Sequence, residues 1–348
     1  MLYRHVCIET FAAALPPEVV TSAELEARLG PVYARLKLPA GRLELMSGIR
    51  ERRVWPAGTR PSTAAAEAGA LALEQAGVAK AEIGALFHCS VCRDFLEPAT
   101  STIVHGRLGL PGSALNFDIS NACLGVLSGM TMAANMIELG QIRAALVVSG
   151  ENSRPLMENT VAHLLADTTM TRQQFKDAFA SLTIGSAAAA VLLTHDSLSR
   201  AKHRFLGGAS VANTAFSHLC QGNSDSGMGD GSRPLMSTDS EELLLRGVET
   251  AQAAWAEFKR ELGWTEATPD VVCTHQVGRV HRDRLYAGLG LDTAKDFPTV
   301  EFMGNCGSAS LPATAALAVQ AGRLKPGQRL ALLGIGSGIN CTMLGVEW

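Results

Sequence analysis

Residues 123–150 read CLGVLSGMTMAANMIELGQIRAALVVSG, and residues 305–336 read NCGSASLPATAALAVQAGRLKPGQRLALLGIG. With Cys123 laid over Asn305, Gly125 meets Gly307, Ser128 meets Ser310, and Ala133-Ala134 meet Ala315-Ala316. Gly140 then meets Gly322, and Ile142-Arg143 meet Leu324-Lys325. After a short insertion, RAALVVSG (143–150) lies over RLALLGIG (329–336), and the same offset puts ALFHCSVCR (85–93) over VVCTHQVGR (271–279). Chance does not keep three strand and helix pairs in order, so the chain reads as a duplicated unit. One half runs over residues 1–200 and the other over 201–348.

Working outward, helical and strand-like segments alternate. The N-terminus, MLYRHVCIET, reads as the start of a strand. Residues 61–73 (PSTAAAEAGALAL) read as a helix with a small-residue face. Residues 83–89 (IGALFHC) and 144–149 (AALVVS) read as buried strands, and 124–139 as a helix apolar nearly all round, hence buried. This alternation predicts α/β layers.

The duplication has a chemical consequence. Cys123 and Asn305 each open a small-residue helix, and Cys89 and His275 stand at matching strand ends. If the halves pack about a pseudo-two-fold axis, Cys123, His275 and Asn305 converge. At a helix start, unpaired N–H groups and the helix dipole favour a thiolate and can hold an oxyanion. A histidine after a strand is a proton carrier or oxyanion donor, and an asparagine is a neutral hydrogen-bond donor.

Composition narrows the classes. The chain has 348 residues, a formal net charge of −3, 47% apolar residues and a mean hydropathy of +0.14. That excludes disorder and leaves no basic excess for nucleic acid or an anionic membrane. No apolar run of membrane-spanning length occurs, and the N-terminus lacks the apolar core of a signal peptide. Eight dispersed cysteines (7, 89, 92, 123, 220, 273, 306, 341) read as free thiols in a reducing cytoplasm.

The sequence resembles the thiolase superfamily, and within it the ketoacyl synthase III branch. The resemblance rests on LPPEVV (15–20), GIRERR (48–53), the nucleophile segment 118–125, Thr274-His275-Gln276, GNCGSASLP (304–312) and the glycine-rich 334–338. It implies a five-layered αβαβα fold from two pseudo-two-fold halves, a tight homodimer, and condensation of acyl thioesters. It also implies Cys123 as the acylated nucleophile, with His275 and Asn305 in an oxyanion hole. Coenzyme A enters only as part of the substrate, with no cofactor and no metal.

Three departures refine it. Malonyl-condensing members carry His-Gln-Ala-Asn where this chain has His275-Gln276-Val277-Gly278. The usual Gly-Asp turn is Gly185-Ser186. Residues 155–180 form a longer, partly apolar segment suited to an alkyl pocket or a dimer contact. In addition, Glu97 lies in Phe95-Leu96-Glu97-Pro98-Ala99. Decarboxylation of malonyl thioesters needs no strong base, whereas joining two ordinary acyl thioesters needs one to remove an α-proton. A carboxylate in an apolar loop has its pKa raised, which suits that task. This pattern is similar to the OleA family of long-chain olefin biosynthesis, where the matching glutamate reaches into the partner's site.

The resemblance therefore implies non-decarboxylative condensation of two long-chain acyl-CoA molecules. Gly336, Ser337 and Gly338 add a backbone loop for the first oxyanion. Downstream olefin-pathway enzymes become possible partners. The alternatives are a decarboxylating synthase using malonyl thioester, a thioesterase, and a catalytically silent acyl-CoA-binding partner.

Other signals weigh less. Cys89-x-x-Cys92 lacks a second pair for zinc, so packing is its expected role. Residues 334–338 have no βαβ room for a dinucleotide. His281-Arg282-Asp283 matches a kinase triplet in letters only, and residues 225–231 lack calcium-loop spacing. Residues 50–53 fit either coenzyme A phosphates or a solvated turn.

Overall fold

The repeated segments fold twice into the same series of strands and helices. The computed structural model describes residues 1–222 and 236–348; the 225–231 stretch weighed above lies outside them. In chain order the first half holds β1 (Val6–Ala14), β2 (Glu18–Thr21), α1 (Ser22–Arg28), α2 (Gly30–Leu36), α3 (Arg42–Ser47), β3 (Glu51–Val54), α4 (Pro61–Ala76) and β4 (Ile83–His88). It continues with α5 (Thr100–Leu108), β5 (Leu115–Asp118), α6 (Gly125–Glu138), β6 (Ala144–Glu151), α7 (Arg154–Ala166), α8 (Arg172–Ala178) and β7 (Ala187–His195). The second half holds β8 (His203–Ala212), β9 (Cys220–Gly222), β10 (Met236–Thr238), α9 (Ser240–Leu262), β11 (Val271–Thr274), α10 (Arg279–Leu289), α11 (Val300–Met303), α12 (Ser310–Gln320), β12 (Arg329–Gly336) and β13 (Asn340–Glu347).

Strand order is β1-β7-β6-β4-β5 in the first half and β8-β13-β12-β11 in the second. Directions match pair for pair: β1/β7 and β7/β6 are antiparallel and β6/β4 parallel, as β8/β13 and β13/β12 are antiparallel and β12/β11 parallel. Asp296 bridges Val272 in parallel, where the first half has β5 beside β4. Cys7 and Ile8 pair with Arg204 and His203, which joins the two sheets into one run of nine strands.

Side-chain alternation along the strands builds the layers. On β6, Ala145 and Val147 enter a central core, while Ala144, Leu146 and Val148 pack with α4. On β12, Leu330 and Leu332 enter that same central core, while Ala331 and Leu333 face Trp255 and Phe258 of α9 and Tyr286 of α10. The central core also contains Val126, Met130 and Ile137 of α6 and Leu311, Ala315 and Ala318 of α12. The result is five layers: helix, sheet, the α6–α12 pair, sheet, helix. Strands covered on both faces read as unbroken apolar runs, which is why 83–89 and 144–149 were legible.

Two expected boundaries lengthen. The 61–73 helix runs to Ala76, where Gly77 (φ +61°) ends it. The 144–149 strand runs to Glu151, which carries a carboxylate into the interior. In α6, a β-carbon at Gly129 would lie 2.5 Å from Cys89 Sγ and 2.7 Å from Val147 Cγ1. Cys89 therefore packs against the helix, as expected for it.

The 155–180 segment forms α7 and α8. Met157, Leu164 and Phe175 pack with Leu25, Leu29, Val32 and Tyr33 of α1 and α2 in a satellite core. Arg52 of β3 is fully buried, donating to Val20 O and Ser22 Oγ, and Arg53 donates to Pro16 O. Arg52 is therefore framework and no part of a solvated turn, Arg53 is half-buried, and Arg50 is exposed. Among the described residues, no helix is long and apolar enough to cross a membrane.

Candidate active site

A cavity of about 520 Å³ opens where the ends of β6 and β12 meet the starts of α6 and α12. Its wall includes Cys123, His275 and Asn305, together with Glu151, Gly336 and Ser337. The three residues that the repeat set in register thus share one space, within the size range of enclosed small-molecule sites.

Cys123 sits in a short 3₁₀ turn, Ala122–Leu124, that runs into α6. Ala122 before it has φ +44°, a left-handed conformation that costs a non-glycine residue of order 1 kcal/mol. Asn121 braces this turn: its Nδ2 donates to Ser128 Oγ (3.0 Å), and its Oδ1 accepts from Asn340 Nδ2 (3.2 Å). Gly336 lies flat against the cysteine; a β-carbon there would come within 3.4 Å of Cys123 N. The surroundings work against the low-pKa thiolate expected at a helix start. Burial, then the neighbouring Cys220 and Glu151, push the Cys123 thiol up to about 12.

His275 follows β11, its N–H bonded to Leu333 O at 3.0 Å. It is buried, and its Nδ1 has no hydrogen-bond partner. Burial, with His281 nearby, lowers its pKa to about 4, so the imidazole is neutral in ordinary conditions. The adjacent Gln276 faces away and is structural: its Nε2 donates to Phe297 O, and its Oε1 accepts from Thr299 N and Val300 N.

Asn305 is fixed from three sides. Its N–H donates to Thr183 O (3.0 Å), its carbonyl accepts from Gly185 N (2.8 Å), and its Oδ1 accepts from Gly307 N (3.0 Å). The last bond assigns the amide orientation and leaves Nδ2 as the free donor end. Gly185 has no room for a side chain, since a β-carbon would lie 1.8 Å from Met303 O. Ser186, standing where an acidic residue was expected, accepts from Ser153 N (2.9 Å) and shares a hydroxyl contact with Ser153 Oγ (2.8 Å).

Glu151 was missed. It is buried at the end of β6, with Oε1 accepting from Val91 N (2.8 Å) and Ser308 N (3.1 Å), and Oε2 from Cys92 N (3.1 Å). Burial raises its pKa, while those N–H groups pull it back. The repeat held the signal, because Glu151 lies over Ser337 one residue beyond RAALVVSG. Ser308 completes the tie between halves, its Oγ accepting from Val126 N at 2.9 Å. His281 on α10, set aside as a kinase look-alike, also lines the cavity.

Glu97 is not brought to this cavity by its own chain. It is exposed on the loop between β4 and α5, beside the exposed Phe95 and Leu96. The apolar surroundings expected for it are not supplied within one subunit. Gly336 and Ser337 line the cavity; Gly338 follows in the turn to β13 with φ +138°.

A half-buried thiol, a buried neutral imidazole and an amide lining one cavity of a five-layered duplicated fold define an acyl-transferring enzyme of the thiolase type. The 3-oxoacyl-[acyl-carrier-protein] synthase III family matches residues 117–212, and its C-terminal counterpart residues 260–348. Over the full length of both chains, the sequence is 43% identical to an acyl-CoA:acyl-CoA alkyltransferase of Shewanella oneidensis and 38% identical to one of Xanthomonas campestris. The fold matches cerulenin-bound OleA of Xanthomonas campestris with a TM-score of 0.95 at 38% identity, over 100% of this chain and 98% of that one. A cysteine-to-serine variant of that OleA, with bound lauric acid and lauroyl-CoA, matches at 0.94 over the whole of both chains. The chain belongs to the OleA family, in the ketoacyl synthase III-like branch of the thiolase superfamily.

Proposed function

We propose that this enzyme joins two long-chain acyl-CoA molecules head to head by a non-decarboxylative Claisen condensation. The observation that carries it is the meeting of Cys123, His275 and Asn305 in one cavity, with Leu243, Leu244, Val248, Leu285 and Ile335 supplying apolar wall for alkyl chains. The full-length likeness to acyl-CoA:acyl-CoA alkyltransferases supports the same reading.

Cys123 sulfur attacks the first acyl-CoA carbonyl, its proton passes by way of neutral His275 to the departing coenzyme A thiolate, and a Cys123 thioester remains. Backbone N–H groups at the start of α6 and around Gly336-Ser337-Gly338 hold the oxyanion. The second acyl-CoA places its carbonyl at His275 and Asn305 Nδ2, which stabilise the enolate. A carboxylate, Glu97 of the neighbouring subunit, takes the α-proton. The carbanion attacks the thioester carbonyl and expels the Cys123 thiolate, giving a 2-alkyl-3-ketoacyl-CoA. Water then cleaves its thioester to the β-keto acid and a second coenzyme A. No metal or redox cofactor takes part.

The same reading includes a homodimer. β5 is an edge strand with Leu115 52% and Phe117 40% exposed, and Phe95 and Leu96 stand exposed on the loop that carries Glu97. An unpaired apolar edge of this kind calls for a partner. A second copy there gives Glu97 its buried setting. Eight free cysteines suit a cytoplasmic enzyme, and the product suits the first step of olefin biosynthesis, with downstream enzymes of that route as partners.

The test incubates purified protein with a long-chain acyl-CoA alone and follows both protein mass and extracted products. Wild type and Glu97→Gln should acylate at Cys123, Cys123→Ser should not, and only wild type should release a doubled-chain β-keto acid or ketone. Acylation without any condensed product from wild type would overturn the reading in favour of a malonyl-dependent synthase or a thioesterase.

A further inference from the structure

Away from the cavity, three side chains at the opposite end of the first sheet converge without any role in the chemistry above. His5 precedes β1 and His195 ends β7; Val6 pairs with His195 in antiparallel register, so the two histidines stand on neighbouring strands. Their rings stack with centroids 5.5 Å apart and planes 11° from parallel. Asp196 follows, its N–H bonded to His5 O at 2.8 Å, so the main chain fixes the trio. Asp196 Oδ2 lies 3.0 Å from His5 Nδ1, and Asp196 Oδ1 lies 3.1 Å from His195 Nδ1. One ligand atom from each residue falls within 4.8 Å of the others.

Ser197 decides how these contacts read. Its N–H lies 3.2 Å and its Oγ 2.8 Å from His195 Nδ1, so a metal on that nitrogen takes the lone pair that Ser197 otherwise holds. Lys202 Nζ donates to the Asp196 carbonyl at 2.6 Å and so leaves the carboxylate to the histidines.

We propose that His5, His195 and Asp196 form a surface site for a divalent transition metal of the zinc class. Two imidazole nitrogens and one carboxylate oxygen select zinc, cobalt or nickel over calcium or magnesium. Metal–ligand bonds of about 2.0–2.1 Å give a tetrahedron with edges of roughly 3.3–3.4 Å. The contacts now use both carboxylate oxygens, Oδ2 to His5 at 3.0 Å and Oδ1 to His195 at 3.1 Å, so binding turns the carboxylate to bring one oxygen to both rings. A water fills the fourth position.

The site is not catalytic. β6 pairs Glu151 with Ala187 at the cavity end and Ala144 with Thr194 at the far end, roughly 25 Å away at about 3.3 Å per residue. What it does hold is the junction. Cys7 and Ile8, next to His5, form the pairing with His203 and Arg204 that joins the two sheets. A metal bound only by the folded state raises its stability by mass action.

The test uses untagged full-length protein stripped of metal. It is titrated with zinc against a chromophoric chelator and, separately, with cobalt followed by visible absorption. Wild type should bind one zinc per chain, with the unfolding temperature rising. His5→Ala and Asp196→Asn should each weaken binding at least about tenfold and lose the thermal shift, while Cys123→Ser binds as wild type. The cobalt spectrum should show nitrogen and oxygen ligation without thiolate charge transfer. No stoichiometric binding, binding that survives both variants, or a thiolate band would overturn the proposal.

Discussion

His275 and Cys123 are both uncharged at rest, and the cause in each case is removal from water. For His275 this has a measurable sign. Its folded pKa of about 4 lies below the ordinary 6.5, so between those values the unfolded chain binds more protons than the folded one. Stability is therefore full above pH 6.5 and falls as pH drops towards 4, by about 3 kcal/mol at most. Urea unfolding of wild type and His275→Gln across this window should show the wild type losing that much more. Equal slopes would mean the imidazole is hydrated in solution. The sequence carried the helix start just after Cys123 but not the desolvation of the thiol, because desolvation is a property of the assembled site. Glu151 was hidden for a related reason. Its three N–H partners come from residues 91, 92 and 308, so no local pattern announces them.

Among elements, the segments that the sequence announced are those whose own faces are buried on both sides: β4, β6, α6 and their counterparts β11, β12 and α12. Their apolar runs and small residues are direct imprints of close packing. The satellite core of α1 and α2 against α7 and α8 was not legible. Its contacts link residues 25–36 with 157–175, and each helix alone is short. The loop of Gly185 lies between these classes. It was noticed as a departure, but its function emerges only in three dimensions, where it grips the main chain of Asn305. Gly185→Ala would press a methyl group against Met303 O, where the available distance is 1.8 Å, and should cost about 3 kcal/mol or more. Condensation should fall more than Cys123 acylation, since the amide serves the second substrate. Equal loss of both, measured by acyl-enzyme mass and product yield, would count against that division.

At the scale of the whole molecule, the duplicated topology was readable from the offset alignment, and the dimer was implied only by resemblance. The exposed β5 edge, and a Glu97 that is exposed and outside its own subunit's cavity wall, underlie the proposal that one subunit is an incomplete enzyme. Cys123→Ser and Glu97→Gln subunits, each inactive alone, should therefore complement when co-expressed in equal amounts. Half of random dimers are mixed and each has one intact site, which gives about a quarter of wild-type product. Placing charges at Leu115 and Phe117 should abolish that rescue and shift the protein to monomers by light scattering. No rescue in stable mixed dimers would show Glu97 acting within its own chain.

The tie at the α6 and α12 starts bears on motion. Ser308 takes the Val126 N–H with its hydroxyl while giving its own N–H to Glu151, so the halves are pinned to each other beside the nucleophile. A two-lobed enzyme often opens like a jaw to admit its ligands. This one has its hinge pin driven through the point of bite. Turnover has to run on a fixed frame, with substrates and product passing along its edges.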